Sequence, residues 1–423
     1  ADAPFLGVGV RKAEGGLVAV GGGSGLGLDL RADASTLVDT TTPRRFNPLA
    51  AVGSVSLRNE TWDGALDLSR EGTALGRLTV AHDGRAGAGG VTIDAPSIVF
   101  AEGGLQPADL SPLAADFVGS PATGSVAFEG RVDWREGAEG SSGGRLTIPG
   151  LDFASPAGPV KGLRGTVDFT SLAPLVAAPG QRLTADRLES VAPLTDIELV
   201  FGLDQAAVTI EGGDLTAAGG VLRVAPFAVP LDRSQPFGGV LVLENVQLGE
   251  VIAGAGFEDK VRLDAVVSGR LPFTYDPAVG LRISGGTLYA VQPGRLSIQR
   301  EALSGLEAGG GGEAVPPNTV QDLAYQAMEN LSFDILSAEV NSLDEGRLSV
   351  LFRIRGRHDP PQRQELRVSI AEFISREFLN RELPLPSGTG IDLTLDTTLN
   401  ANQLVGDLLE LNRARNGDAD PTP

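Results

Sequence analysis

In the stretch VRLDAVVSGR, residues 261–270, Val261, Leu263, Ala265 and Val267 fall on one side of an extended chain. Arg262, Asp264 and Ser268 fall on the other, and only Val266 breaks the pattern. A period of two is the period of a strand, whose successive side chains point to opposite faces of a sheet. The alternation returns at Leu281 and Ile283, at Leu288, at Leu296 and Ile298, and at Leu348, Val350, Phe352 and Ile354. It continues at Leu366, Val368 and Ile370, and at Ile391, Leu393 and Leu395, set against Asp392, Thr394 and Asp396. One face is therefore oily and the other wet. Such a sheet must cover its oily face with another layer, curl upon itself, or offer that face to an apolar ligand.

The same grammar fills most of the chain. Runs such as AVGSVSLRNETWDGALDLSREG and GRLTVAHDGRAGAGGVTIDAPSIVFAEGG, between residues 51 and 104, mix branched apolar residues with Ser, Thr, Arg and Asp and end in Gly or Asp-Gly, which are strand and hairpin signals. The 57 glycines and 27 prolines against 5% aromatic content suit many turns rather than bulky helical cores. No fixed repeat length emerges, which favours an antiparallel meander over a solenoid. No linker divides the chain, so residues 1–190 and 191–403 are expected to be two parts of one elongated trough, followed by a polar tail at 404–423.

Little is left to roof the sheet. The clearest helix is expected near 317–330, where Asn318 or Thr319 can cap the start and Val320, Leu323, Ala324, Ala327 and Met328 recur at helical spacing. A weaker helix is expected over 371–382, and single turns in LQPADLSPLA and VQLGEVIAGAG.

Charge and composition exclude several functions. A formal charge of −20, with 34 scattered basic residues, argues against a nucleic-acid partner. The absence of cysteine removes disulfides, thiolate chemistry and Cys-ligated metals. None of the 54 acidic residues forms a calcium loop, and no metal or cofactor is expected. No apolar run reaches the ~18 residues a membrane span needs, so any membrane anchor is expected outside this sequence. His82 and His358 each precede an Asp in turn-forming sequence. A catalytic pair is conceivable there, but a turn shaped by the Asp side chain is the simpler reading. Trp62 and Trp134 read as packing residues rather than a sugar platform, and GGGSGLG at 21–27 as a flexible turn. No catalytic constellation appears, and an enzyme acting on polysaccharide is the weakest option.

The run GRLPFTYDPAVGLRISGGTLYAVQPGRLSIQ, followed by a loop, an amphipathic helix, LSFDILSAEVNSLDEGRLSVLFRIRGRHDP and LPLPSGTGIDLTLDTTLN, resembles the C-terminal region of YdbH-like proteins. These belong to the AsmA-like group of bridge-type lipid transport proteins in the Gram-negative envelope. The resemblance covers residues 190–400, and the N-terminal half shares only the texture. It implies a mainly β fold, a long antiparallel sheet curved into a taco-like trough that carries phospholipid across the periplasm. It also implies an inner-membrane anchor and a small outer-membrane lipoprotein partner that adds strands at the C-terminal end.

The residues themselves point the same way. Exposing lipid tails to water costs about 0.8 kcal/mol per CH₂, and a uniform aliphatic face shields them without creating traps. Arg347, Arg353 and Arg355 are too costly to bury, so Leu348, Val350, Phe352 and Ile354 are expected to face inward, and an Asp at Val350 or Ile354 to block lipid while leaving the fold largely intact. The edge of the last strand, at Ile391, Leu393, Thr394, Leu395, Thr398 and Leu399, is expected to receive a strand from a small partner protein or another copy. A structural or adhesive β-stalk with a closed, dry core is the alternative.

Overall fold

The computed structural model describes residues 2–3, 7–22, 25–115, 118–155, 158–189, 193–232, 234–254, 258–299, 320–365 and 383–400. The fold is mainly β, an open sheet in which every described ladder is antiparallel. Its residues divide into two compact units, one of 1–189, 195–213 and 226–233, the other of 190–194, 214–225 and 234–423.

The first unit is a meander. A two-residue β1 (Asp2–Ala3) borders β2 (Val8–Gly22). There follow β3 (Gly25–Asp39), β4 (Leu49–Arg58), β5 (Thr61–Arg70), β6 (Thr73–Asp83), β7 (Ala88–Phe100), β8 (Gly119–Arg135), β9 (Ser141–Ser155), β10 (Gly158–Leu172) and β11 (Leu175–Leu188), each paired with the next. Next come β12 (Leu194–Leu203) and β13 (Ala207–Ala217), the latter paired with the short β15 (Phe227–Pro230). Sequence places the tight turns: at Glu71–Gly72 both residues have positive φ, 49° and 86°, the primed turn whose twist matches two right-twisted strands.

Register separates the faces as alternation requires. Leu17, Leu30, Val55, Gly64, Val80, Val91 and Val132 stand opposite one another across seven successive strands. On the other face the row Asp67, Arg77, Asp94, Glu129, Arg145 and Asp168 crosses from β5 to β10. Exposed ion pairs lace that face, among them Arg145 to Asp168 at 2.6 Å and Arg164 to Asp186 at 2.6 Å. Each adds only tenths of a kcal/mol to about 1 kcal/mol. Their larger effect is on register, because a one-residue slip would turn the charges onto the oily side.

Connections in a meander fall on alternate rims. The β3–β4 loop (40–48) and the β7–β8 connection lie on one rim, and the β10–β11 turn at 173–174 lies on the other. Yet the Arg45 guanidinium donates to the Leu172 carbonyl. A straight strand of the 15 residues of β10 would hold those rims about 50 Å apart. The sheet of this unit therefore curls until loops from one rim reach the other.

The second unit is less regular. β14 (Gly220–Val224), β16 (Phe237–Gln247), β18 (Val266–Asp276), β20 (Gly286–Ala290), β22 (Leu331–Ser342), β23 (Arg347–His358) and β24 (Gly390–Asn400) pair in that order, skipping intervening short strands. β19 (Gly280–Ile283) folds back on the tip of β18, while β17 (Val261–Asp264) pairs with β21 (Gly294–Ile298), which joins β22. The simple meander expected from sequence gives way here because the chain changes partners at Ala265, between β17 and β18.

Four short helices supplement the strands among the described residues: α1 (Pro107–Leu110), α2 (Pro112–Ala115), α3 (Leu248–Gly254) and α4 (Val320–Glu329). The first three are the turns expected in LQPADLSPLA and VQLGEVIAGAG. The helix expected near 317–330 begins, as described, at Val320, and its capping residues lie outside the described residues, as do 371–382 and 404–423. Its buried side chains include Tyr325, Gln326, Ala327 and Met328, with Asp322 also enclosed, so the docking face is rotated toward polar residues that the apolar stripe did not announce. Gln326 accounts for them: it donates to Asp322 and to the Leu383 carbonyl and accepts from the Leu385 N–H.

Candidate functional site

Each unit turns an apolar face inward, but the two fill it differently. In the second unit the face is packed. Val267, Leu296, Ile298, Leu331, Phe333 and Ile354 form one cluster that Tyr325 and Met328 of α4 join, and Leu248 and Val251 of α3 pack against it. Phe333 is fully enclosed, at 0% exposure.

Most of the residues singled out by alternation lie here. Ala265, Val267, Leu296 and Ile298 are buried, and Val261, Leu263 and Leu288 are half-buried against the same cluster. Val350 and Ile354 are buried, Leu348 and Phe352 half-buried, while Arg353 and Arg355 point away to Glu339 and Asp392 at 2.6 and 3.0 Å. With Val350 and Ile354 this enclosed, a carboxylate at either would break the fold rather than spare it, so the expectation for those substitutions is revised. Ile283 is half-buried beside Val340 and Val350, whereas Leu281, at 64% exposure, sits at the β18–β19 tip opposite Tyr275 and is not gathered into the face. Leu366, Val368 and Ile370 lie outside the described residues.

On β24, Ile391, Leu393 and Leu395 are half-buried and Thr394 and Thr398 exposed, with Leu399 paired to Leu348 through its backbone. Among the described residues β24 pairs along one side, with β23.

The first unit packs a cluster of its own, in which Leu68, Phe100, Ala122, Ile148 and Leu151 are buried, and is more open elsewhere. Val55, Val80, Val91 and Val132 are only half-buried, and Leu17 and Leu30 are exposed at 63% and 37%. Toward β10–β13 the face widens into a cavity of about 640 Å³, lined by Leu113, Val167, Phe169, Leu175, Phe201, Leu203, Val208 and Leu231, with Thr41, Pro43 and Arg45 over it. That volume lies within the range of small-molecule and cofactor sites, about 300–1,000 Å³.

Arg45 is the one charged residue lining the cavity among the described residues, and its donors are committed. Nε and Nη2 meet the Asp39 carboxylate, Nη2 also meets the Gly7 carbonyl, and Nη1 meets Leu172. The Asp39 side chain is fully enclosed. Burial alone would push its carboxyl up, but the Arg45 hydrogen bonds and charge, with the Thr41 N–H, outweigh burial and hold it at about 2. Sequence reasoning passed over this loop. Its signal was TTPRRFNPLA, a Pro-flanked break in the alternation that places two arginines beside a Phe.

The candidate reactive residues are structural. Asp83 accepts from the Arg85 and Ala86 N–H groups, shaping the turn after His82, and Trp134 donates to His82 Nδ1 at 3.2 Å. The second pair departs from the turn reading: His358 is buried against Gln364, and Asp359 binds Arg295 rather than its own turn. Among the described residues no cluster of His, Asp and Glu could hold a metal, and no helix is long and apolar enough to cross a membrane.

The described strands form an open antiparallel sheet with ion-paired residues on one face and mostly aliphatic residues on the other. The chain matches the YdbH-like family, described as intermembrane phospholipid transport protein YdbH, over residues 10–370, and it belongs to that family. The match extends well into the N-terminal half, beyond the 190–400 span where sequence motifs carried the resemblance. No curated protein and no solved structure matches the chain.

Proposed function

We propose that this chain carries phospholipid across the periplasm along its apolar face, tails against the aliphatic rows and headgroup toward water. Residues 1–190 and 191–403 serve as two parts of one lipid path. Intermembrane phospholipid transport is the function of its family. The observation that carries the finer reading is the cross-strand row from Leu17 to Val132, which has an aliphatic side chain on six of its seven strands, with Gly64 on β5, and is only partly covered. Continuous apolar area offsets the ~0.8 kcal/mol per CH₂ that water would impose on a moving tail, and a row with no charged side chain sets no barrier along the way. In this reading an anchor outside the sequence holds the protein in the inner membrane. A small outer-membrane lipoprotein adds a strand to the β24 edge at Ile391–Leu399, which among the described residues is paired on one side, with β23. No cofactor takes part.

Native mass spectrometry of the purified chain tests the reading: co-purified phospholipid is expected. A lipid-free chain that also yields no adducts with a photoreactive phospholipid would favour the dry β-stalk, a reading that the packed cluster around Phe333 supports in the second unit. For the partner, photocrosslinking from Thr394 and Thr398, with His82 as control, is expected to give adducts only at the edge strand.

A further inference from the structure

We infer that the β3–β4 loop is a gate over the lipid path, bolted by Arg45. The inference rests on the lipid reading above and concerns how lipid passes one place in the first unit.

The loop leaves and rejoins one rim of the curled sheet, and its Arg45 side chain reaches the other. Asp39 fixes its base, accepting from the Thr41 N–H and hydroxyl and from the Arg45 N–H and guanidinium. Helix α1 and the residue after it brace its flank: Asn47 donates to the carbonyls of Ala108 and Asp109, and Ser111 donates to the Arg45 carbonyl. Across the mouth, by contrast, the loop is tied by the Arg45 guanidinium, which reaches the Leu172 carbonyl. The loop's main chain is thus fixed at Asp39 and Ser111, and among the described residues the Arg45 side chain carries the hydrogen bond across the mouth.

Beneath it lies the 640 Å³ cavity. A diacyl lipid sliding with tails inside and headgroup in water must carry its headgroup through the line that this loop occupies. Arg45 cannot serve as a phosphate site in the closed form, because its donors already meet Asp39, Gly7 and Leu172. Lipid therefore moves past only when the Leu172 bond opens, and the cavity holds tails while it is shut.

The chain has no cysteine, so a bridge can be placed at will. Thr42 on the loop and Ala173 on the far rim line the same cavity. Thr42→Cys with Ala173→Cys, joined by a short bis-maleimide, locks the gate, and each single variant capped with N-ethylmaleimide is the control. The probes are a fluorescent phosphatidylglycerol, released into phosphatidylethanolamine–phosphatidylglycerol vesicles, and a diazirine phospholipid captured by the chain. A benzoylphenylalanine at Phe201 reports occupancy of the cavity and one at Val80 reports the open row.

Locking after loading is expected to slow release at least tenfold, and locking before loading to abolish Phe201 adducts while Val80 adducts persist. Arg45→Met, and Arg45→Met with Asp39→Leu as the folding-safe version, are expected to speed release. If locked and capped chains load Phe201 and release lipid alike, the gate is overturned and the lipid path stands. If neither Phe201 nor Val80 captures lipid in any chain, the path fails and the gate with it.

Discussion

Both units pack part of an apolar face, but among the described residues only the first also closes part of it with a polar loop. In the second, helices α3 and α4 lay Leu248, Val251, Tyr325 and Met328 onto Leu296, Leu331 and Phe333, and the face becomes a close-packed core. In the first, a cluster around Phe100 and Leu151 packs one part of the face, while at another a polar loop held by Asp39 reaches across through Arg45 to Leu172 beside a cavity. Apolar packing is non-directional and stabilises in proportion to the area it removes from water. A buried ion pair adds little net stability but fixes geometry. The second unit's cap is apolar packing throughout, whereas the first unit's polar tie is the place where the proposed gate would open.

The largest expected effect tests the cap. Phe333→Ala removes a ring with no solvent exposure, and large-to-small core changes of this kind cost about 3–5 kcal/mol. Native-state hydrogen exchange is expected to show β20–β23 losing protection while β4–β9 keep theirs. Equal loss in both units would mean that they are one cooperative body and that the comparison is wrongly drawn.

Next is the bolt itself. Arg45→Met leaves the Asp39 carboxylate enclosed without its cation, a change worth about 3 kcal/mol. Replacing both residues, Arg45→Met with Asp39→Leu, is expected to recover most of that in urea unfolding, because the unpaired charge is gone. A double variant no more stable than the single one would show that the pair contributes attraction rather than relieving a burial penalty.

Acid separates the units without mutation. The Asp39 carboxyl is held at about 2, below its unfolded value of about 3.9. A depressed folded value stabilises above the unfolded pKa and is lost as pH falls through the folded one. About 2 kcal/mol is therefore expected to fade between pH ~4 and ~2, felt in the first unit. Asp39→Asn should flatten that part of its acid-stability curve, measured by exchange-resolved unfolding. An unchanged curve would assign the acid sensitivity elsewhere.

The strands and their faces are legible in the sequence, because alternation, Gly-rich turns and ladder register all depend on local pattern. Alternation alone assigns Val350 and Arg353 to opposite sides, and the sheet keeps them there. What alternation cannot report is how deeply a face is covered. Val350, Val80 and Leu281 look alike in sequence, yet one is enclosed, one half-buried and one exposed, since covering depends on which distant residues pack over each, Leu271 and Ile283 in the case of Val350. The Asp39–Arg45 bolt is hidden for the same reason: its partner carbonyl is 127 residues away.

The smallest effect sharpens the comparison at the outer face. Arg355 pairs with Asp392 directly across β23 and β24, and both side chains are largely in water, at 65% and 72% exposure. Arg355→Ala is expected to cost less than about 1 kcal/mol, since water and salt screen an exposed pair. Its consequence lies in register, because this pair lines up the strand whose far edge is proposed to take a partner. Photocrosslinking from Thr394 is the sensitive readout. A shifted β24 would present Thr394 differently and change the adduct pattern at near-normal stability, whereas unchanged adducts would assign the register to Ile391 and Leu393 on the inner face.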